Sequence, residues 1–288
     1  MKLFVRDLTV IDASYLDSCR GFVGESYQVD IVLEGKLNAD AMLLDFSLVK
    51  KQIKGIIDAE VDHKLLVPLR ALNCYVEKQE QRTQVDFKLK DNSYIQLKCP
   101  HQAYCLLDTY QITIKAIEDY LNQVILKQLP DNINGLEVTL HPEKINTPYY
   151  HYTHGLKKHS GNCQRIAHGH RSKIDVFIND IYAPDLVESW ARRWKDIYLL
   201  SQEDKIDVSA LSFTPKDKTI DYVAGAYHAQ QGYFELLISA SRIEILPQET
   251  TVEELANFIH QQIKIQQGAN NQITVYAYEG IGKGAIAE

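Results

Sequence analysis

Apolar and polar residues alternate through residues 1–35 in two runs, KLFVRDLTVIDAS and SYQVDIVLEG, joined by a connection carrying Gly21 and Gly24. A period of two marks a strand with one face to the core, and the glycines mark a turn region, so the pattern predicts a hairpin. Over residues 46–58 the period changes, with Leu48, Ile53, Ile56 and Ile57 at helical spacing. Residues 83–99 alternate again and stop at Pro100, predicting strands. Residues 112–129 (ITIKAIEDYLNQVILKQL) make the best amphipathic helix of this half, and residues 135–143 (GLEVTLHPE) read as a closing strand.

The plan then repeats. GHRSKIDVFIND (169–180) matches GESYQVDIVLEG (24–35), and LVESWARRWKDIYLL predicts a helix over 186–200, where the first half has its helix at 46–58. YFELLISASRIEILP matches YIQLKCPHQAYCLLD, TTVEELANFIHQQI matches ITIKAIEDYLNQVI, and ITVYAYE closes the chain as LEVTLHP closes the first half. A repeat of this length implies a duplicated unit of two strands, a helix, two strands and a helix. Two prolines and turn formers at 142–149 place the boundary there, giving copies at residues 1–143 and 144–288. Each copy reads as α+β, a four-stranded antiparallel sheet with two helices on one face.

Composition narrows the partners. A net charge of −7 with no basic stripe argues against nucleic acid. No apolar run approaches the roughly 20 residues that span a bilayer, and MKLFVRDLTV reads as a strand instead of a secretion signal. The five scattered cysteines contain no CxxC and are expected to be reduced thiols in the cytoplasm, with Cys74, Cys99 and Cys105 in the core.

The chemistry concentrates in residues 150–175, which hold five of the ten histidines together with Cys163. His168 and His170, two apart at the head of an alternating segment, present their imidazoles on one face of a strand, and His154 upstream completes a set of three. Three imidazoles around an open fourth position are the usual donor set of a catalytic zinc. Cys163 reads either as a fourth ligand or as a nearby base.

The order His154-Gly155-Leu156, then Cys163, then His168-Gly169-His170 resembles the 6-pyruvoyl tetrahydropterin synthase and 6-carboxytetrahydropterin synthase superfamily. Leu44-Asp45-Phe46 and Val61-Asp62-His63 in copy one resemble the same superfamily's MDF…LDHxxLN signature, and Thr251-x-Glu253-x-Leu255-Ala256 its PTxExxA helix start. Four residues separate Cys163 from His168, a spacing between those of the two enzymes, and Arg171 stands where the family carries Asn or Ser.

The resemblance implies a tandem tunnelling fold whose sheets join into a barrel in a homo-oligomer, a dimer or trimer of tandem chains. It implies zinc on His154, His168 and His170, Cys163 as catalytic base, and Asp62-His63 as a proton relay with an imidazole basic near physiological pH. Glu279 would grip a pterin ring, with Thr251 near the substrate. The counterpart of the histidine pair in copy one is Val23-Gly24-Glu25, so that copy is expected to hold no metal. The two copies thus divide one site, and because the family draws Cys and Asp-His from different subunits, the site is expected between chains, with placement inside one chain the alternative that the tandem linkage allows. The implied reaction is zinc-dependent lyase chemistry on 7,8-dihydroneopterin triphosphate. The 6-carboxytetrahydropterin product of queuosine biosynthesis stands first and the 6-pyruvoyl product second. A non-catalytic pterin- or purine-binding protein, or a scaffold for another tunnelling-fold enzyme, is the reading from another class.

Overall fold

A computed structural model describes residues 1–268 and 270–288, with the side chain of Leu48 outside the described set. Copy one comprises β1 (Lys2–Asp17), β2 (Gly21–Gly35), α1 (Phe46–Glu60), β3 (Leu65–Pro68), β4 (Cys74–Lys78), β5 (Arg82–Lys88), β6 (Tyr94–Pro100), β7 (Tyr104–Leu107), α2 (Ile114–Leu126) and β8 (Ile133–Pro142). Copy two comprises β9 (Tyr149–His154), β10 (His168–Ile178), β11 (Ile181–Tyr182), α3 (Pro184–Arg193), β12 (Ile197–Ser201), β13 (Lys205–Ile206), β14 (Tyr222–Ala229), β15 (Gly232–Ser239), β16 (Ile243–Leu246), α4 (Val252–Gln267), β17 (Ile273–Tyr278) and β18 (Gly284–Ala287). The architecture is α+β, two tunnelling-fold units in tandem. Among the described residues no helix is long and apolar enough to cross a membrane.

The two principal sheets run β7-β3-β1-β2-β8 and β16-β12-β9-β10-β17-β18, and the repeat read in the sequence is visible strand for strand. Two expectations are corrected. The sheets are mixed, because β3 pairs parallel with β1 and with β7, as β12 does with β9 and β16. After the first hairpin the helix returns the chain antiparallel to the second strand, hence parallel to the first. An excursion through strands of the third sheet then brings β7 and β16 back parallel to β3 and β12. The helix expected over 186–200 ends at Arg193, and Ile197–Ser201 is a strand buried along its whole length. Asp196 takes a left-handed φ of 56°, which stops the helix, and a short apolar run carries no period to tell a buried strand from a helix.

Local chemistry explains the helices that were read correctly. Thr113 caps α2 by accepting from the Ala116 amide at 3.1 Å, and Ile117, Leu121 and Ile125 form its buried stripe. One apolar core lies between α1, α2 and the first sheet, and another between α3, α4 and the second. A third core, including Phe22, Phe87, Tyr198 and Phe234, draws on both copies. It lies with a third sheet, β13-β14-β15-β6-β5-β4, in which β6 of copy one pairs antiparallel with β15 of copy two.

The two principal sheets meet where β1 and β2 pack on β9 and β10. There the Ser14 and Thr153 hydroxyls hydrogen-bond at 2.7 Å. Gly24 and Gly169 lie against each other, and a Cβ on either would collide with the Tyr152 carbonyl oxygen. β2 is consequently buried on nearly every residue, its alternation hidden because both faces are covered.

Candidate active site

β9 and β10 pair in a register that sets His154 opposite His168, with His170 two residues on. The alternation of the pleat turns all three imidazoles to one side, with ring centroids 4.5 to 5.7 Å apart. All three are buried. His154 Nδ1 donates to the Thr250 carbonyl oxygen at 2.9 Å and His168 Nδ1 to the Arg165 carbonyl oxygen at 3.1 Å. A carbonyl can only accept, so both tautomers are settled and each Nε2 presents a lone pair. His170 Nδ1 lies 3.2 Å from Asp12 Oδ1, so a carboxylate faces the third ring, although neither ring nitrogen makes an aligned hydrogen bond.

The Nε2 atoms of all three are buried without a hydrogen-bond partner, and one ligand atom from each falls within 4.8 Å of the others. Burial, reinforced by neighbouring imidazoles, holds His154 and His168 well below their usual pKa and so in the neutral form that ligation requires. Buried ring nitrogens left unpaired are costly, and three converging imidazoles, two of them anchored through their outer nitrogens, are the donor set of a zinc ion with an open position. The residues present fit that metal.

Beside this cluster stands the pair from copy one. Asp62 Oδ2 lies 2.5 Å from His63 Nδ1, and its Oδ1 accepts from the Asp12 amide at 2.9 Å. His63 sits at a left-handed φ of 54°, held by its own amide donating to the Asp12 carbonyl at 2.8 Å. Its imidazole centroid is 5.1 Å from that of His168, and one of its ring nitrogens lies within 4.8 Å of the Cys163 sulfur. Burial acts to lower the His63 pKa, but hydrogen bonds to Asp62 and Cys163 outweigh it and push it up to about 10. The expectation of a base near physiological pH is corrected: the Asp62 carboxylate and the Cys163 sulfur beside the ring hold the His63 pKa above that range.

Glu279, just past β17, brings Oε1 to 3.5 Å from His170 Nε2, at the mouth of the cluster. Thr251 is not at the site: its hydroxyl caps α4 by accepting from the Glu254 amide. The threonine that reaches the cluster is Thr250, through His154.

The site therefore combines His154, Cys163, His168, His170 and Glu279 of copy two with Asp62 and His63 of copy one, all in the same chain. The expectation of a site between chains is corrected, because packing β1 and β2 onto β9 and β10 brings the two halves together internally.

Several residues of the site were not singled out from the sequence. Asp12, on β1, is 4% exposed and touches both halves. It also accepts from the Ser26 hydroxyl at 2.5 Å and from Lys283 Nζ at 3.2 Å. The neighbouring His170 ring and these two contacts outweigh burial and hold its carboxyl well below the usual range. Arg165 donates from Nη1 to the Asp62 carbonyl at 3.2 Å, bracing the turn that carries His63. The one signal available for Asp12 was a charge between Ile11 and Ala13 in an otherwise apolar stretch of strand.

With this geometry in hand, comparison with known proteins is informative. The family model of 6-pyruvoyl tetrahydropterin synthase matches residues 9–93, the stretch that holds Asp62 and His63 but none of the three clustered imidazoles. A protein of Methanocaldococcus jannaschii named "Putative 6-carboxy-5,6,7,8-tetrahydropterin synthase" is 30% identical over 128 residues, covering 43% of this chain and 75% of the relative. A protein of the same name from Pyrococcus horikoshii is 22% identical over 130 residues, covering 45% and 74%. The solved 6-pyruvoyl tetrahydropterin synthase of Plasmodium vivax is similar at 18% identity and a TM-score of 0.40, over 49% of this chain and 90% of that one. The identity and coverage of the Methanocaldococcus relative establish the kinship that the histidine cluster and the Asp-His pair already suggested: the chain belongs to the 6-pyruvoyl tetrahydropterin synthase family.

Proposed function

We propose that this chain is a zinc-dependent tetrahydropterin synthase, a lyase acting on 7,8-dihydroneopterin triphosphate with 6-carboxytetrahydropterin as its product. The observation that carries this reading is the approach of His63, from copy one, to within 4.8 Å of the Cys163 sulfur and His168 of copy two, beside three inward-facing imidazoles. A sulfur base, a proton donor and a metal cradle sharing one small volume are the combination that such a lyase requires. The names of the Methanocaldococcus and Pyrococcus relatives favour the carboxy product over the pyruvoyl one.

His154, His168 and His170 would hold the zinc, which when bound supplies a Lewis acid that makes substrate hydroxyls more acidic. Cys163 takes the proton from the substrate side chain. The protonated His63, anchored by Asp62, gives a thiolate at Cys163 a counter-cation and returns a proton to the developing product. Asp12 is a positioning residue, because it aligns His170 and, through its backbone, the Asp62-His63 turn. Glu279 accepts from the paired N–H groups of the ring, a geometry that two carboxylate oxygens match. As the resemblance implies, we take the working unit to be a cytoplasmic dimer or trimer of chains, which native mass spectrometry tests.

Incubating the purified zinc-loaded protein with 7,8-dihydroneopterin triphosphate and identifying products by mass spectrometry tests the reaction. Acetaldehyde with a carboxypterin is expected. A pyruvoyl pterin would move the chain to the sister reaction, and tight pterin binding without turnover would make it a binding protein.

A further inference from the structure

The contact of Gly24 with Gly169 relates the two copies, and strand registers extend the equivalence. Ser14 pairs with Gly24 as Thr153 pairs with Gly169, so Asp12 corresponds to His151, Ser26 to Arg171 and His170 to Glu25. The parallel pairs Ser14–Leu65 and Thr153–Tyr198 make Asp62 and His63 correspond to Lys195 and Asp196. His63 and Asp196 share the left-handed conformation, at φ of 54° and 56°. The counterparts of four residues of the catalytic site, Asp12, Ser26, Asp62 and His170, line a second cavity of about 640 Å³. Duplication kept this cavity and changed its walls.

Those walls are cationic in a chain of net charge −7. Arg20 is neutralised by Asp196, at 2.5 Å. Arg171 is not: its contact with Glu25 is long, at 3.7 Å, and its Nε is buried without a partner. Its guanidinium is held 4.2 Å over the Tyr149 ring, which fixes its plane. Thr147 Oγ1, on the same wall, is likewise buried and unpartnered. Lys195 has no ion-pair partner among the described residues and completes the rim. Two carboxylates share the wall with these two cations: Glu25, and Glu188, which Arg192 of the same wall engages at 2.8 Å. A planar fork, an ammonium and a hydroxyl, all with donors to spare, ask for a ligand with several charged acceptor oxygens, and the volume admits more than a single small ion.

We propose that this second cavity binds a phosphoryl-bearing anion, Arg171 and Lys195 gripping the phosphoryl oxygens with Thr147 donating alongside. The site is separate from the metal cluster and does not depend on the reaction assigned to it. A free oligophosphate and the tail of a nucleotide share this chemistry, and the probes distinguish them.

The test is isothermal titration of the full chain with inorganic tripolyphosphate and, separately, with guanosine triphosphate. Because polyphosphates also ligate zinc, the titration is repeated in metal-free His168→Ala protein. Saturable binding that survives His168→Ala and weakens about tenfold in Arg171→Gln and in Lys195→Gln is expected. Lys195 is solvent-exposed, so its variant reads the site even where Arg171→Gln disturbs packing. Tighter binding of the nucleotide would assign the ligand to that class, and equal binding would assign it to the phosphoryl chain alone. Absence of saturable binding in the intact protein, loss of it in His168→Ala, or indifference to Lys195→Gln would each overturn the proposal.

Discussion

The histidine cluster and the cavity around Glu25 follow one plan and differ at almost every position that carries chemistry. Around His168 the walls are neutral imidazoles, a thiol and an Asp-His pair. Around Glu25 the equivalent positions are Tyr15, Val23 and Glu25, with Lys195-Asp196 in place of Asp62-His63. The backbone geometry that presents these side chains is retained, down to the left-handed residue after each first helix. The scaffold thus sets where groups point, and substitution at a few positions decides whether a metal or an anion is welcome. Because each cavity borrows from the other copy (Asp12, Asp62 and His63 in one, His151 and Arg171 in the other), neither copy works alone.

The largest effect should separate the cavities by chemistry. Cys163→Ala should lower turnover by at least about 10³-fold, in the range for loss of a positioned base, while zinc remains bound. His63→Ala should do nearly the same. Since both residues act within one chain, co-refolding the two variants should restore no activity; recovery of about a quarter would mean that chains exchange halves of the site. Loss of zinc in Cys163→Ala would make the sulfur a ligand and the base assignment wrong.

The contact between the copies comes next. Gly169→Ala forces a methyl into the Tyr152 carbonyl oxygen, the Ser14 hydroxyl and the Gly24 Cα, and two of these three are backbone atoms that cannot rotate away. A loss of about 3 kcal/mol or more is expected, the upper range of overpacking, read by chemical denaturation. Near-neutral behaviour would mean that the sheets can separate, and the shared architecture of the cavities would lose its support.

Electrostatics should distinguish the cavities with opposite signs. Burial, only partly offset by Arg171, raises the Glu25 pKa from 4.5 to about 7. Its ionised form therefore penalises the folded state, and that penalty is absent below pH 4.5 and complete above pH 7. Glu25→Gln should stabilise the protein increasingly as pH rises through this window, by at most about 3 kcal/mol and less whatever Arg171 loses. His154 and His168, held neutral, run the other way: metal-free protein should lose stability as pH falls below about 6.5, where the unfolded chain takes up protons that the folded one refuses. Melting temperatures of Glu25→Gln and parent protein from pH 4 to 8 check both signs, and a Glu25→Gln benefit confined to low pH would contradict the first.

The smallest effect tests the bridge between the copies. Asp12→Asn should weaken zinc affinity roughly 10- to 100-fold, as losses of carboxylates behind ligating histidines do, with one zinc per chain still bound at saturation. Chelator competition measures the affinity and metal analysis the stoichiometry. Two zinc ions per chain would show that the Glu25 cavity also holds metal.

How much of this was legible in the sequence follows from the range of the interactions involved. The hairpin of β1 and β2, helices α1, α2 and α4, the repeat, and the histidines of β9 and β10 were legible because each rests on periodicity or on residues close along the chain. Period two put His168 and His170 on one face, and the Val23-Gly24-Glu25 counterpart followed from the repeat alone. The third sheet, the parallel pairing of β3 and β12, and the strand at Ile197–Ser201 were not, because their partners lie far along the chain and a short buried strand carries no period. Asp12 and Arg165 stayed hidden for the same reason: their importance lies in what they touch across the contact between copies, and nothing local records it. Sequence by itself determined which residues could do chemistry and that each copy held part of a site. Only tertiary structure decided that the parts meet inside one chain, because two glycines let the sheets approach until Asp12 reaches His170 and His63 reaches Cys163.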